Sequence, residues 1–301
     1  MYNILSRIVP NARIFTKEPM ANHTSFKIGG AADVYVQPSS RDELVKIIAK
    51  CRANNAPFVI LGNGSNILVP DEGLRKIVIQ LHPHFGKCLA NANDSCVFGE
   101  AGASLSALAH LALQEGLTGL EFASGIPGTV GGAICMNAGA YGHDISAVCL
   151  NVDILMPYGE IVTVSGENMG FGYRASVLQQ NNGIVLGAWF SLVHEDREVI
   201  KMRMDDINKR RKDSQPLGWP SAGSTFKRPP GHYAGKLISD CDLKGFSIGG
   251  AQVSQKHAGF IVNMGNAKAN DVRRLIEHIQ DVVFNRYGVR LEPEVEILCN
   301  L

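Results

Sequence analysis

The chain has 301 residues, 45% of them hydrophobic and 19% charged, and carries a net charge of +1. That balance gives no general attraction to nucleic acid or an anionic membrane, and no apolar run approaches the roughly 18 residues that span a bilayer. The seven cysteines are scattered and odd in number, with no Cys-x-x-Cys pair, so reduced thiols fit better than a disulfide frame and no metal site is expected.

Met1-Tyr2-Asn3-Ile4-Leu5-Ser6-Arg7 opens the chain without the apolar core of a signal peptide, which points to a cytoplasmic location. Ser40-Arg41-Asp42-Glu43 is a capping box, and Leu44, Ile47, Ile48 and Cys51 follow at helical spacing, so a helix is predicted over 43–54. Phe58-Val59-Ile60-Leu61 reads as a short strand. It runs into Gly62, Asn63, Gly64, Ser65 and Asn66, and Ile67-Leu68-Val69 follows as a second strand. Such a turn can aim several N–H groups at one anion, but Asn-Gly is also the commonest hairpin signal, and for this turn alone the plain hairpin is the default. It is neither a dinucleotide fingerprint, which needs a third glycine and a helix, nor a Walker loop, which needs Gly-Lys-Ser/Thr. A helix over 105–114 should end at Gly116.

Ser124, Gly125, Ile126, Pro127, Gly128, Thr129, Val130, Gly131 and Gly132 begin the most informative stretch, which continues through Asn137 and Gly139 to Gly142. No charged residue interrupts 124–141. Glycine is costly to order, so a cluster of this kind serves turns or close backbone approach. Bare amides in a concave nest suit a diphosphate or a flat electron-rich ring; the alternative is a glycine-rich helix and loop packed in a core.

Residues 152–156 and 161–164 flank Pro157-Tyr158-Gly159 as a hairpin, and 184–193 reads as another strand. A charged helix is predicted over 196–211, ending in the basic run Lys209-Arg210-Arg211-Lys212, by default a solvated helix end. Asn270 should cap a helix whose apolar stripe is Val272, Leu275, Ile276, Ile279, Val282 and Val283, with Gly288 ending it. In the last segment Leu291, Pro293, Val295 and Ile297 alternate with Glu292, Glu294 and Glu296, which puts three carboxylates on one strand face. Glu195-Asp196-Arg197-Glu198 breaks the apolar strand before it. The expected architecture is therefore α+β: a glycine-rich ligand domain over 1–195 and a smaller α/β domain over 196–301.

These pieces form a set. Asn22-His23-Thr24-Ser25-Phe26-Lys27-Ile28-Gly29-Gly30 precedes the first glycine turn and the 124–132 stretch. Phe171-Gly172-Tyr173-Arg174-Ala175-Ser176, Ser221-Ala222-Gly223-Ser224-Thr225-Phe226-Lys227 and Leu291-Glu292-Pro293-Glu294-Val295 follow. From about residue 20 onward the chain resembles the UDP-N-acetylenolpyruvoylglucosamine reductases, flavoenzymes that complete UDP-N-acetylmuramate for bacterial cell walls. The resemblance implies an FAD-binding domain of the vanillyl-alcohol-oxidase type followed by a substrate-binding domain. It implies NADPH as electron donor and UDP-N-acetylglucosamine enolpyruvate as substrate, with FAD held by Gly62–Asn66, Ser124–Thr129, Gly131, Gly132, Asn137 and Gly139. No histidine lies in the first turn or in 125–141, so the FAD should be non-covalent.

By the same resemblance Arg174 matches the catalytic arginine, suited to a carboxylate on which negative charge builds. Ser224 matches the proton donor. As a free serine is a poor acid, a neighbouring cation must support it, with Lys212 or Lys227 as candidates. Glu294 matches the catalytic glutamate, while Glu292 and Glu296 read as solvent-facing. Lys227 and Arg228 are candidates for the substrate diphosphate, and His257 for either a flavin- or substrate-facing role or a structural one. The interval 174–224 looks too short for the extra tyrosine-bearing loop of some members, which points to the shorter subclass. Competing readings are another FAD-dependent oxidase or dehydrogenase of the same superfamily, and a flavin-free nucleotide-sugar-binding protein.

Overall fold

The computed structural model describes residues 1–300, apart from the side chain of Ala92. They form two compact units. One comprises Met1–Thr16, Val34–Asn63 and Ile77–Arg211; the other comprises Lys17–Asp33, Gly64–Lys76 and the described chain from Lys212 on. This partition differs from a single cut at 195/196. Burial explains why: Ile200 and Met204 of the charged helix sit in the first unit's core, whereas Phe26, Ile28 and Leu68 sit in the second's. Core membership follows apolar contact rather than chain order.

In the first unit the helix Arg41–Ala53 begins two residues before the predicted 43, with Ser40 as its cap, Oγ accepting the Glu43 N–H at 3.2 Å. The reciprocal arm lands one residue early. Glu43 accepts the Ser39 N–H at 2.8 Å and two bonds of 2.9 Å from the Arg13 guanidinium. The strand Phe58–Leu61 pairs in parallel with residues 77–80, Phe58 opposite Ile77 and Leu61 opposite Gln80. A second, antiparallel sheet takes its strands in the order Ile161–Ser165, Cys149–Leu155, Ile184–Ser191, Cys96–Glu100, Cys88–Asn91. The helices Leu105–Gln114 and Val130–Met136 pack on it through Leu105, Leu108, Val130 and Ile134. The helix Arg197–Ser214 replaces the expected span 196–211, and Asp196 caps it by accepting the Glu198 N–H at 2.7 Å.

The second unit has a four-stranded antiparallel sheet in the order Ser221–Ser224, Phe260–Asn263, Ala251–Val253, Ser247–Ile248. The amphipathic helix Ala269–Tyr287 buries Val272, Leu275, Ile276, Ile279 and Val283 in the core with Val253, Ile261 and Val295. Its N-terminus is not capped by Asn270. The Asp71 carboxylate accepts the N–H groups of Ala269 and Asn270 at 2.8 and 3.1 Å, and Asp271 accepts that of Lys268 at 3.0 Å. A carboxylate brought from elsewhere in the chain satisfies the orphan donors that a local cap would otherwise take.

The two strands around 62–66 do not form a hairpin. Phe58–Leu61 pairs with 77–80, and Ile67–Leu68 pairs in parallel with Glu296–Ile297. That removes the plain hairpin turn as an account of Gly62 to Asn66.

Candidate active site

In the first unit the chain leaves the strand Phe58–Leu61 at Gly62 over a buried polar support. Tyr35 and Gln80 are 0% and 5% exposed. The Tyr35 hydroxyl donates to Gln80 Oε1, and Gln80 Nε2 donates to the Gly62 carbonyl at 2.9 Å. A Cβ on Gly62 would collide with Thr129 Oγ1 and stand 3.2 Å from Thr129 Cγ2. Asn63 Nδ2 donates to the Pro127 carbonyl at 2.8 Å. The first glycine turn, through Gly62 and Asn63, is thus locked to the 124–132 stretch at Pro127 and Thr129.

The polar side chains of that stretch are turned to the protein. Ser124 Oγ donates to the Glu121 carbonyl at 2.8 Å, and Thr129 Oγ1 caps the helix Val130–Met136 by accepting the Gly132 N–H at 3.4 Å. The amides of Ser124, Ile126, Val130 and Gly131 donate to Glu121, Ala123, Ala103 and Ala101 carbonyls. Among the described residues, the N–H groups of Gly62, Asn63, Gly125, Gly128 and Thr129 have no protein acceptor. Beside Gly125 stand Asn208 and Arg211: a Cβ there would lie 2.7 Å from Asn208 Oδ1 and 3.0 Å from Arg211 Cδ. Burial lowers the Arg211 pKa from its ordinary value, an effect Tyr141 partly opposes. Of the basic run, half-buried Arg211 stands against Gly125, and the Arg210 guanidinium carbon lies 5.2 Å from the Tyr141 ring centre; their positions in the run gave no means to single them out. Gly131 has a packing reason, since its Cβ would stand 3.0 Å from Ala101 Cβ. Gly139 pairs with Asp144 in a two-residue ladder.

Arg174 lies on a tight turn of the same unit, with Gly172 and Ala175 exchanging backbone hydrogen bonds at 3.0 and 3.2 Å. Its backbone is left-handed, φ +55°. It is half-buried, with its guanidinium carbon 5.3 Å from the Tyr173 ring centre.

In the second unit Ser224 owes its place to a bulge. Ser221 pairs with Val262 and Ser224 with Phe260, so three steps on one strand match two on the other, with Gly223 at φ +75° absorbing the extra residue. Ser224 is half-buried, and its hydroxyl makes no hydrogen bond among the described residues. The segment that follows it runs beside the glutamates: Glu294 N donates to the Thr225 carbonyl at 2.8 Å and Lys227 N to the Glu292 carbonyl at 2.8 Å. Ser224 and Glu294 are brought onto neighbouring hydrogen-bonded segments. Glu292 and Glu296 are exposed, whereas Glu294 is half-buried.

Asn66 supports this edge, its Nδ2 donating to the Glu294 carbonyl at 3.0 Å and its own carbonyl accepting the Glu296 N–H at 2.9 Å. The Gly64 carbonyl accepts the Ser25 N–H at 3.1 Å, and Ser25 Oγ donates to the Ser221 carbonyl at 2.7 Å. The amides of Gly64, Ser65 and Asn66 have no protein acceptor among the described residues.

Lys227 Nζ is 3.4 Å from Glu292 Oε2. Arg228 is exposed, with its guanidinium carbon 4.1 Å from the Tyr233 ring centre. Lys212 is exposed, and its carbonyl accepts from Lys256 Nζ at 2.6 Å. His257 Nδ1 accepts the Gly259 N–H at 3.1 Å, and burial holds its pKa below the usual histidine value. Among the described residues no group of three or more His, Cys, Asp or Glu is placed to hold a metal ion, and no helix is long and apolar enough to cross a membrane.

Residues 32–165 match the family described as FAD binding domain, and residues 215–298 the one described as UDP-N-acetylenolpyruvoylglucosamine reductase, C-terminal domain. A UDP-N-acetylenolpyruvoylglucosamine reductase of Caldanaerobacter subterraneus subsp. tengcongensis is 53% identical over 296 residues, covering 98% of this chain and 96% of its own. The chain belongs to the UDP-N-acetylenolpyruvoylglucosamine reductase family. The reductase of Listeria welshimeri is 46% identical, covering 98% of this chain and 99% of its own. The crystal structure of the Thermus caldophilus reductase superposes with a TM-score of 0.80 at 36% identity, over 93% of this chain and 97% of that one. The fold class is accordingly an FAD-binding domain of the vanillyl-alcohol-oxidase type followed by the reductase family's C-terminal domain.

Proposed function

We propose that the chain reduces UDP-N-acetylglucosamine enolpyruvate to UDP-N-acetylmuramate in peptidoglycan precursor synthesis, with NADPH as donor, in the cytoplasm where that donor is supplied. Bound FAD would supply the hydride relay between NADPH and the enolpyruvyl carbon. The unspent amides of Gly62, Asn63, Gly125, Gly128 and Thr129 suit the FAD diphosphate, with Arg211 adding charge. No histidine in the glycine turn or the 125–141 stretch is placed for a covalent link. We assign flavin binding to 1–195 and substrate binding to 196–301, while the packing units follow a different division.

Three side chains do the rest. Arg174 grips the substrate carboxylate and stabilises the charge that builds on it. Ser224 Oγ gives its proton to the carbon next to the carboxylate, helped by Lys212 or Lys227, and Glu294, in its protonated form, donates a hydrogen bond to the developing enolate. Lys227 and Arg228 hold the substrate diphosphate. Between Arg174 and Ser224 the structure accounts for the chain as Leu178–Asn181, Ile184–Ser191, Val193–His194 and Arg197–Ser214. This short run of elements supports the shorter subclass.

The observation that carries the reading is the pairing of a half-buried, unengaged Ser224 with the one half-buried carboxylate of the 292–296 row. Ser224→Ala in the FAD-loaded protein tests it. Bleaching of the flavin by NADPH should stay near wild type, and reoxidation by the enolpyruvyl substrate should slow about a hundred- to ten-thousand-fold, as for loss of one acid–base group. Equal slowing of both halves would assign Ser224 to cofactor binding instead.

A further inference from the structure

A non-glycine residue in the left-handed region is strained and persists only where its surroundings over-determine it. Arg174 is such a residue, at φ +55°. Its turn is held from outside by three side-chain bonds. Asn137 Nδ2 donates to the Gly172 carbonyl at 3.0 Å, Ser176 Oγ to the Cys135 carbonyl at 2.8 Å, and Gln179 Nε2 to the Arg174 carbonyl at 3.2 Å. Two of the three tie the turn to the C-terminal end of the glycine-rich helix Val130–Met136. Asn137 is that helix's C-cap, itself left-handed at φ 42°, and only 4% exposed. Both ends of its amide are engaged by backbone, since Oδ1 accepts the Ser146 N–H at 3.0 Å.

We propose that Asn137 is a positioning residue for Arg174: its buried carboxamide fixes the Gly172 carbonyl, and through it the turn that aims the guanidinium. The proposal rests on the reading of Arg174 as the group that grips the substrate carboxylate. It moves Asn137 from the list of residues touching the cofactor to one acting through the arginine. The Gly172 carbonyl accepts from Asn137 Nδ2 and from the Ala175 N–H together, so the amide and the turn closure share one acceptor. Asparagine is suited on two counts. It tolerates the left-handed backbone, and it is a donor at one end and an acceptor at the other. Aspartate would keep the bond from Ser146 and set an oxygen against the Gly172 carbonyl. Glycine would keep the backbone and lose both bonds.

The test compares Asn137→Asp, Asn137→Gly and Arg174→Ala, with each double variant, in FAD-loaded protein. Asn137→Asp should leave FAD content and flavin reduction by NADPH near wild type and slow reoxidation by the enolpyruvyl substrate about ten- to a hundred-fold, the size of a misplacement near 1 Å. In the Arg174→Ala background the same change should add less than about twofold, because groups acting as one unit do not add. Hydrogen exchange gives a readout independent of turnover: the Ala175 amide should lose protection in Asn137→Asp while the Val130–Met136 helix keeps its own. If Asn137→Asp does not fold, Asn137→Gly carries the cycle, and Ser176→Ala, which cuts the neighbouring tie, should give the same signature. Additive losses, equal slowing of both halves, or unchanged Ala175 exchange would overturn the proposal while leaving Arg174 in place. A normal rate for Arg174→Ala would overturn the reading of Arg174 and this inference with it.

Discussion

Gly62 offers a test of the cradle that needs no assumption about substrate. Its backbone is not left-handed, so alanine there meets no conformational penalty; the cost is steric. The added methyl would collide with Thr129 Oγ1 and crowd Thr129 Cγ2 at 3.2 Å. Thr129 is 2% exposed and cannot yield into solvent. Gly62→Ala should therefore destabilise by about 1–3 kcal/mol, the usual cost of overpacking. Thr129→Ala removes the atom that meets the Gly132 N–H at 3.4 Å, and loss of an N-cap costs about 0.5–2 kcal/mol. The same change removes both atoms that the new methyl strikes. The double variant should then be scarcely less stable than Thr129→Ala alone, with a coupling of about 1–2 kcal/mol, within the range for residues in direct contact. Urea denaturation of the flavin-free protein measures the stabilities. Flavin fluorescence measures FAD affinity, which should fall about tenfold or more in Gly62→Ala, because a displaced amide–phosphate bond is worth roughly 1.5–3 kcal/mol. Costs that add within about 0.5 kcal/mol would show that Gly62 and Thr129 are not locked, and the cradle geometry would be wrong.

Acid precipitation of the FAD-loaded protein should release all the yellow colour, and flavin left on the denatured chain would refute non-covalent binding. Glu294→Ala should lower turnover more than substrate affinity, while Glu292→Ala and Glu296→Ala stay near wild type, because exposed charges such as Glu292, 3.4 Å from Lys227, contribute little; equal losses in steady-state kinetics would undo the distinction. Burial pushes the Glu43 carboxyl up, but bonds from Arg13 and Ser39 outweigh it and hold its pKa below the ordinary 4.5. A depressed carboxyl stabilises above its unfolded pKa, so Glu43→Gln should be the less stable protein at neutral pH and the gap in melting temperature should close as pH falls below 4.5. Burial also depresses His257 below 6.5, so the unfolded chain takes up that proton first. Wild-type melting temperature should drop as pH is lowered from 6.5, and less steeply in His257→Gln; identical slopes would show that His257 does not titrate on unfolding.

Local patterns carried far in this chain. The 105–114 helix and its Gly116 stop, the 149–165 hairpin and the apolar stripe of the 269–287 helix all lie within a few residues of where periodicity puts them. What sequence could not supply was partnership at a distance. The 62–66 turn reads locally as a hairpin because nothing nearby shows that the strands on either side pair with 77–80 and 296–297. Asn270 reads as a cap because Asp71 is far away in sequence. Gln80 gave a faint signal, one polar residue closing the apolar run Ile77-Val78-Ile79, but its tie to Gly62 has no local signature.

The row of glutamates shows how packing separates residues that composition makes equal. Alternation places Glu292, Glu294 and Glu296 on one face, and an ideal strand would expose them alike. The segment is not an ideal strand: Pro293 bridges to Phe226, and regular pairing resumes only at Glu296. Val295 and Leu291 are anchored in the second core at 4% and 1% exposure, while the Glu294 backbone is held on two sides, by the Thr225 carbonyl and the Asn66 side-chain amide. A carboxylate fixed there loses some water without being sealed off. In its protonated form such a group can hold a hydrogen bond ready for charge that appears only during reaction, whereas its fully wet neighbours would first have to shed solvent. The same logic applies to Ser224. A glycine-bearing bulge places its hydroxyl while leaving it unbonded among the described residues, so its proton is not already committed to the fold. Filling that bulge with Gly223→Ala, at φ +75°, should therefore disturb protonation of the product carbon before it disturbs flavin reduction. An effect confined to flavin reduction would show that the bulge serves the cofactor and not the serine.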